Sequence, residues 1–311
     1  MKNRLYFMLG AAMFLLGSFW TYAEEKASAA PRNVQDVYPG LSNGAFTYAE
    51  LKALPEGVLL KTEGVEIKED TINKIIDSQP QQAREELKKN AFFVLEQEAT
   101  KQILLSQAQK TAVQSKAEIP KEENALISRF FETVVFKKIE ITDEELKDFY
   151  EKNRDMCGGA TFEQIGASLK DYLISQKKQQ MASAYIHDLG KQIPIQISDG
   201  WVKQQAVMAF DNPVDKARKS SKPSMVDFGA SGCKPCDMMA PILETLRTKY
   251  EGKANVLFIH VREQQILASR YGVQSIPLQV FFDKDGKEVF RHTGFFPQDQ
   301  IEKKLSELGV H

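Results

Sequence analysis

The sequence predicts a multidomain protein in which a mostly α-helical domain precedes an α/β domain, and three observations carry that reading. Between Gln81 and Leu189 apolar residues recur at helical spacing amid Glu, Lys and Gln. From Ser224 onward short apolar runs alternate with helical patterns, the order that builds α/β units. A chain of 311 residues, 42% of them hydrophobic, is long enough for about two domains with buried cores.

At the start, Lys2 and Arg4 precede an apolar run from Leu5 to Trp20, and Thr21-Tyr22-Ala23 offers small residues where a signal peptidase cuts. Residues 1–23 therefore read as a secretory signal peptide, which predicts a periplasmic or other extracytoplasmic location. The run is short for a bilayer span of about 20 residues, so an uncleaved anchor ranks second. No Cys follows it, and lipoprotein attachment is not expected. A net charge of -1, from 41 basic and 42 acidic residues, gives no electrostatic reason to expect nucleic acid or an acidic membrane surface as partner. There are three cysteines, Cys157, Cys233 and Cys236. An exported protein held by structural disulfides would carry more, in even number, so one close pair plus an odd Cys points to redox chemistry.

Residues 24–44 are small, polar and punctuated by Pro and Gly, and read as a flexible spacer. Val58 to Ile67 is two apolar runs around a Glu-Gly turn, a small hairpin, after which Thr71 can cap a helix. Ala91, Phe92, Leu95, Ala99, Ile103, Leu104 and Ala108 mark one long helix between Gln81 and Lys116. Pro120 interrupts, and Ala125 to Val135 begins another helix. Thr142-Asp143-Glu144-Glu145 reads as a capping box opening a helix to Tyr150. A last helix runs from Phe162 to Leu189 and stops at Gly190, and Ile193-Pro194-Ile195-Gln196-Ile197 reads as an edge strand that tolerates its Pro. Ser198 to Lys222 bridges to the second domain.

The hairpin, the long helices, the Ile141 to Asn153 run and the Gln/Lys-rich helix closing on Ile-x-Ile resemble the SurA/PrsA/PpiD foldase chaperones over roughly Ala45 to Ile197. In that family a parvulin prolyl-isomerase domain commonly sits between the last two helices. Here Arg154 to Thr161 is the whole connection, too short to hold one. The resemblance implies a SurA-like chaperone domain, residues 45–198, whose helices hold unfolded client proteins without isomerase chemistry. The competing reading is a scaffold or dimerisation arm that would make the protein a homodimer.

From Ser224 the chain reads as an apolar strand, a Gly-containing turn, Cys233-Lys234-Pro235-Cys236, then an apolar-periodic helix. A redox Cys-x-x-Cys needs this context: at a helix start unpaired N–H groups and the positive dipole end favour a thiolate at Cys233, while Cys236 lies one turn inside. With the strand from Val256, Gly272-Val273-Gln274-Ser275-Ile276-Pro277, the Leu278 to Phe282 strand, the Asp285-Gly286 turn and a final helix from Pro297, this segment resembles the thioredoxin family over about 90 residues. The resemblance implies a thioredoxin fold, a three-layer α/β/α domain assigned to residues 199–311. It also implies a cis Pro277 facing the dithiol, backbone pairing of Ile276 with an extended substrate, and Asp227 as the buried carboxylate that exchanges a proton with Cys236. Lys234 and Pro235, between the two cysteines, are expected substrate-binding residues with Ile276 and Pro277, and Lys234 is either a charge that lowers the pKa of Cys233 or a solvated turn residue. The sequence departs from the family pattern at Gly229 and Gly232, where aromatic residues are usual, and at Phe258, where a Lys commonly neighbours the Asp.

Half of a zinc site is also Cys-x-x-Cys, but Cys157, His187, His260, His292 and His311 have no ligand spacing, and no metal or other cofactor is expected. Copper held by Cys233, Cys236 and Met238 or Met239 competes with the reading of both methionines as core. Cys157 is either a thiol available for intermolecular disulfides or an inert one. The sequence as a whole predicts an exported thiol-disulfide oxidoreductase, reductase or isomerase, acting on disulfide-containing clients and drawing electrons from a membrane or periplasmic thiol donor. The alternative is a non-enzymatic chaperone whose dithiol is a redox switch.

Overall fold

The structure is a computed structural model that describes residues 32–311; the expected signal peptide and the first part of the expected spacer lie outside the described residues. Two four-stranded sheets organise it. The first combines β1 (Glu50–Lys52), β2 (Val58–Thr62), β3 (Val65–Lys68) and β4 (Gln196–Ser198) in the order β1-β4-β2-β3. β2 and β3 form the expected hairpin, turning at Gly64 with a φ of 73° that suits glycine. Around this sheet pack α1 (Val34–Val37), α2 (Glu69–Asp77), α3 (Gln81–Lys89), α4 (Ala91–Gln114), α5 (Glu123–Phe130), α7 (Phe162–Gln192) and α8 (Asp199–Ala209), while α6 (Asp143–Lys152) packs on α7 outside the core. Phe46, Phe92, Leu60, Leu95, Ile72 and Ile197 centre their common core.

Several expected features of this region differ. The spacer is packed from Val34 on: Val34 and Leu41 are buried in the core, and their apolar side chains outweigh the polar residues around them. Thr71 lies inside α2, which starts at Glu69. The long helix is broken at Asn90, whose Nδ2 donates to Glu86 O at 2.9 Å and so occupies a carbonyl at the end of α3. Gly190 continues α7 instead of ending it; a Cβ there would stand 2.2 Å from Ala45 O, so the glycine permits a close approach of chains. β4 is central, paired with both β1 and β2, because Pro194 precedes it and withholds no donor from either neighbour. The Thr142 capping box is present: Glu145 N donates to Thr142 Oγ1 at 3.1 Å and Thr142 N to Glu145 Oε2 at 3.0 Å. Among the described residues no helix is long and apolar enough to cross a membrane.

The second sheet holds β5 (Ser224–Gly229), β6 (Asn255–His260), β7 (Leu278–Phe282) and β8 (Glu288–Thr293) in the order β6-β5-β7-β8, with β5 parallel to β6 and antiparallel to β7. α10 (Lys234–Lys249) and α12 (Gln298–Glu307) cover one face over Met225, Met239, Leu243 and Phe281. α9 (Pro213–Arg218) and α11 (Gln265–Arg270) cover the other over Val226, Phe228, Val280 and Phe282. The helical region and an α/β domain of three layers are thus both present. Val202, Ala206 and Ala209 of α8 pack in the first core and Val214 of α9 in the second.

Residues 32–311 form one compact unit, and a buried polar joint links its two parts. Arg270 donates to Ala209 O at 2.8 Å, Gly40 O at 3.0 Å and Asp215 Oδ2 at 3.1 Å. Asp215 Oδ1 accepts from Tyr271 Oη at 2.8 Å and Arg218 Nη1 at 3.0 Å. Every charge here has an opposite charge and a hydrogen bond, the condition under which buried ions are tolerated.

Candidate active site

Alternation along β5 sets the site. Met225, Asp227 and Gly229 share the face covered by α10, while Val226 and Phe228 point the other way. The loop after β5 turns at Gly232 (φ 77°) and delivers Cys233 as the N-cap of α10, with Pro235 in the first helical turn where its missing N–H costs nothing. Cys233 and Cys236 are joined as a disulfide with Cα atoms 5.2 Å apart. Cys236 is buried and Cys233 half-buried, so attack from outside reaches Cys233 first. Cys233 Sγ stands 3.9 Å from Ile276 O, and the Ile276–Pro277 bond is cis. Lys234 is exposed at the first position of α10.

Asp227 is fully buried opposite Gln279 in the β5–β7 register. Its Oδ1 accepts from Gln279 Nε2 at 2.7 Å, and Oδ2 has no hydrogen-bond partner. Burial lifts its pKa from 3.8 to about 6, against the lowering effects of the Gln279 bond and of Arg247. A carboxyl poised there can take a proton near neutrality.

The structure brings Cys233, Cys236, Pro235, Ile276 and Pro277 to one end of the sheet, with Asp227 on the face beneath α10. Sequence reasoning missed three neighbours. Gln279 is a polar residue in an apolar strand, a visible signal. His260 ends β6 beside the loop, and its Nε2 accepts from Ser231 N at 3.2 Å. Arg247 faces back from α10 and donates to Val256 O at 3.1 Å. The methionines divide: Met239 is core, but Met238 is 39% exposed, because α10 turns it outward one residue before the buried stripe. Among the described residues no group of three or more His, Cys, Asp or Glu is placed to hold a metal ion.

The dithiol end borders a cleft of about 1510 Å³ between the two parts of the unit. Phe93 and Leu104 of α4, Phe149 of α6 and Tyr172 of α7 line it on one side, with Pro235 and Ile276 on the other. Cys157 is half-buried in the same lining, its Sγ 3.4 Å from Asn153 O.

The sequence matches the family described as Thioredoxin over residues 202–307. Thioredoxins of Staphylococcus aureus strains Mu50 / ATCC 700699 and MW2 are 41% identical to it over 98 residues, a match that covers 32% of this chain and 88% of theirs. The chain belongs to the thioredoxin family. A solved structure titled as chloroplastic thioredoxin z, with a novel type-specific target recognition, is 28% identical and covers 30% of this chain and 85% of its own, at a TM-score of 0.28.

The departures from the thioredoxin pattern compensate one another. A Cβ at Gly229 would stand 2.8 Å from Phe258 Cε2 and 3.4 Å from Cys236 Sγ, so the Phe258 ring fills space that a side chain at 229 would take. Phe258, paired with Asp227 across β5 and β6, brings no cation to the carboxylate. The helical region before residue 202 lies outside the thioredoxin match, and its likeness to the foldase chaperones rests on sequence pattern.

Proposed function

We propose that this protein is an exported thiol-disulfide oxidoreductase, a reductase or isomerase, whose helical domain holds unfolded client proteins beside the Cys233/Cys236 dithiol. The observation that carries this reading is the shared cleft: apolar and aromatic side chains of α4, α6 and α7 face Pro235 and Ile276 across it. A segment held there is delivered to the dithiol at high effective concentration, which makes exchange nearly intramolecular. The apolar run from Leu5 to Trp20 supports export as a secretory signal.

The structure holds the oxidised dithiol. Reduction by an extracytoplasmic dithiol donor returns two electrons and two protons to the pair. The N-terminal end of α10 then favours a thiolate at Cys233. This thiolate attacks one sulfur of a client disulfide, forming a Cys233–client bond and releasing the other client sulfur as a thiolate. Cys236 gives its proton to Asp227 and attacks Cys233 Sγ, re-forming the Cys233–Cys236 bond and releasing the second client thiolate. The client gains two electrons and the dithiol loses two. The Lys-Pro dipeptide, Ile276 before the Pro and the buried Asp227 favour reduction or isomerisation over strong oxidation.

The test is a trap. Cys236→Ser, mixed with an unfolded protein that carries a disulfide, should accumulate a Cys233–client adduct, and a photo-crosslinker at Tyr172 should label the same client. An adduct with no label from position 172 removes the holding role, and no adduct at all removes the exchange reaction.

A further inference from the structure

Asp227 is the fully buried carboxylate of the site. On β6 its register partner is Phe258, with His260 two residues on. On α10 the charge that acts on it is Arg247, which is ion-paired with Glu244 and donates to Val256 O. On β7 it meets Gln279, whose own partner on β8 is His292. His292 is stacked on Phe296 and lies 3.2 Å from Phe295 O through Nε2. The side chain within hydrogen-bond reach of the carboxyl is therefore a neutral amide, fully buried and 2.7 Å away.

A buried glutamine in a strand of otherwise apolar residues costs free energy unless it is paired, and Gln279 has one bond to Asp227 while its Oε1 has none. An amide has a property that neither a cation nor an apolar residue shares. Its NH₂ donates to the ionised carboxylate and, after a half-turn about its last bond, its carbonyl accepts from the protonated acid. It can stay bonded to Oδ1 through the whole proton cycle.

We infer that Gln279 is a positioning residue for proton transfer: it holds Oδ1 of Asp227 in both protonation states and leaves Oδ2 open to exchange the proton of Cys236. This rests on the redox function proposed above and adds to it a residue that acts through Asp227 without touching the reacting sulfurs.

Gln279→Met keeps the length of the side chain and removes the donor. In the full chain with a dithiol donor, the acid limb of the pH profile of insulin reduction should move up by on the order of one pH unit, so that the rate at pH 6 falls about fivefold while the rate at pH 8.5 is kept. Phe258→Lys in the same background sets a donor against the carboxylate from the opposite strand and should move the limb back down. A purely structural role would lower Tm and leave the limb in place, which overturns the inference. In the wild type the Gln279 side-chain amide resonance should titrate with the midpoint of the Asp227 carboxyl; a flat Gln279 signal overturns it too, whatever the variants do. Equal insulin reduction by wild type and Cys233→Ser would remove the redox reading itself, whereas an unmoved limb in an active Q279M removes the positioning role alone.

Discussion

Gln176 of α7 donates through Nε2 to Ser275 Oγ at 3.1 Å, and this bond joins a helix of the first core to the segment that precedes the cis Ile276–Pro277 bond. One residue earlier, Gln274 Nε2 donates to Ser183 Oγ of the same helix at 2.5 Å. The backbone that faces Cys233 is thus braced by the wall proposed to hold the client, which couples the two halves mechanically.

Removing that brace should separate two kinds of substrate. Each bond is worth about 1 kcal/mol, so Gln176→Ala with Gln274→Ala should lower kcat/KM for a disulfide in an unfolded polypeptide by up to about 30-fold. Glutathione disulfide, too small to reach α7, should react at the wild-type rate. Steady-state kinetics with both substrates checks this, and equal losses would contradict it.

Asp227 gives a pH-dependent stability prediction. Its native pKa, about 6, lies above the ordinary 3.8, so the native state binds the proton more tightly than the unfolded chain. The stabilisation this brings is full below about pH 3.8, declines between 3.8 and 6, and is lost above 6, where a buried charge must be carried. Asp227→Asn removes that charge and should stabilise the oxidised protein by up to ~3 kcal/mol at pH 8 and by little at pH 3.5. Urea unfolding at the two pH values reads the difference.

These residues also show what the sequence made legible. The dithiol, its helix and the strand carrying Asp227 are readable because each is local, a spacing or a period within a few residues, whereas the cis Pro277 facing the dithiol comes only from the thioredoxin resemblance. Gln279 and Arg270 are not readable, because their roles come from cross-strand register and from partners far along the chain, such as Gly40 and Ala209. Composition misled at residues 32–44, where two buried apolar residues, Val34 and Leu41, anchor a segment that otherwise looks like a linker.

The joint at Arg270 should be costly to cut. Arg270→Met leaves Asp215 buried with a smaller set of partners and frees the carbonyls of Gly40 and Ala209. The loss should be about 3–5 kcal/mol in chemical denaturation. Hydrogen exchange should rise first around residues 39–41 and 209–212, where the two parts meet.

Gly190→Ala should destabilise by about 1–3 kcal/mol, since its Cβ would collide with Ala45 O, a backbone atom held between buried Phe46 and α7. Thermal unfolding followed by circular dichroism measures it. A glycine acting only as a helix terminator would give a smaller effect.

The central claim is that Cys233 is the nucleophile of a working dithiol. It is tested most directly by the initial rate of insulin reduction, with a dithiol donor, by the full-length protein and by Cys233→Ser. The account predicts turnover by the wild type and none above the uncatalysed rate by Cys233→Ser; equal rates from the two proteins would contradict it.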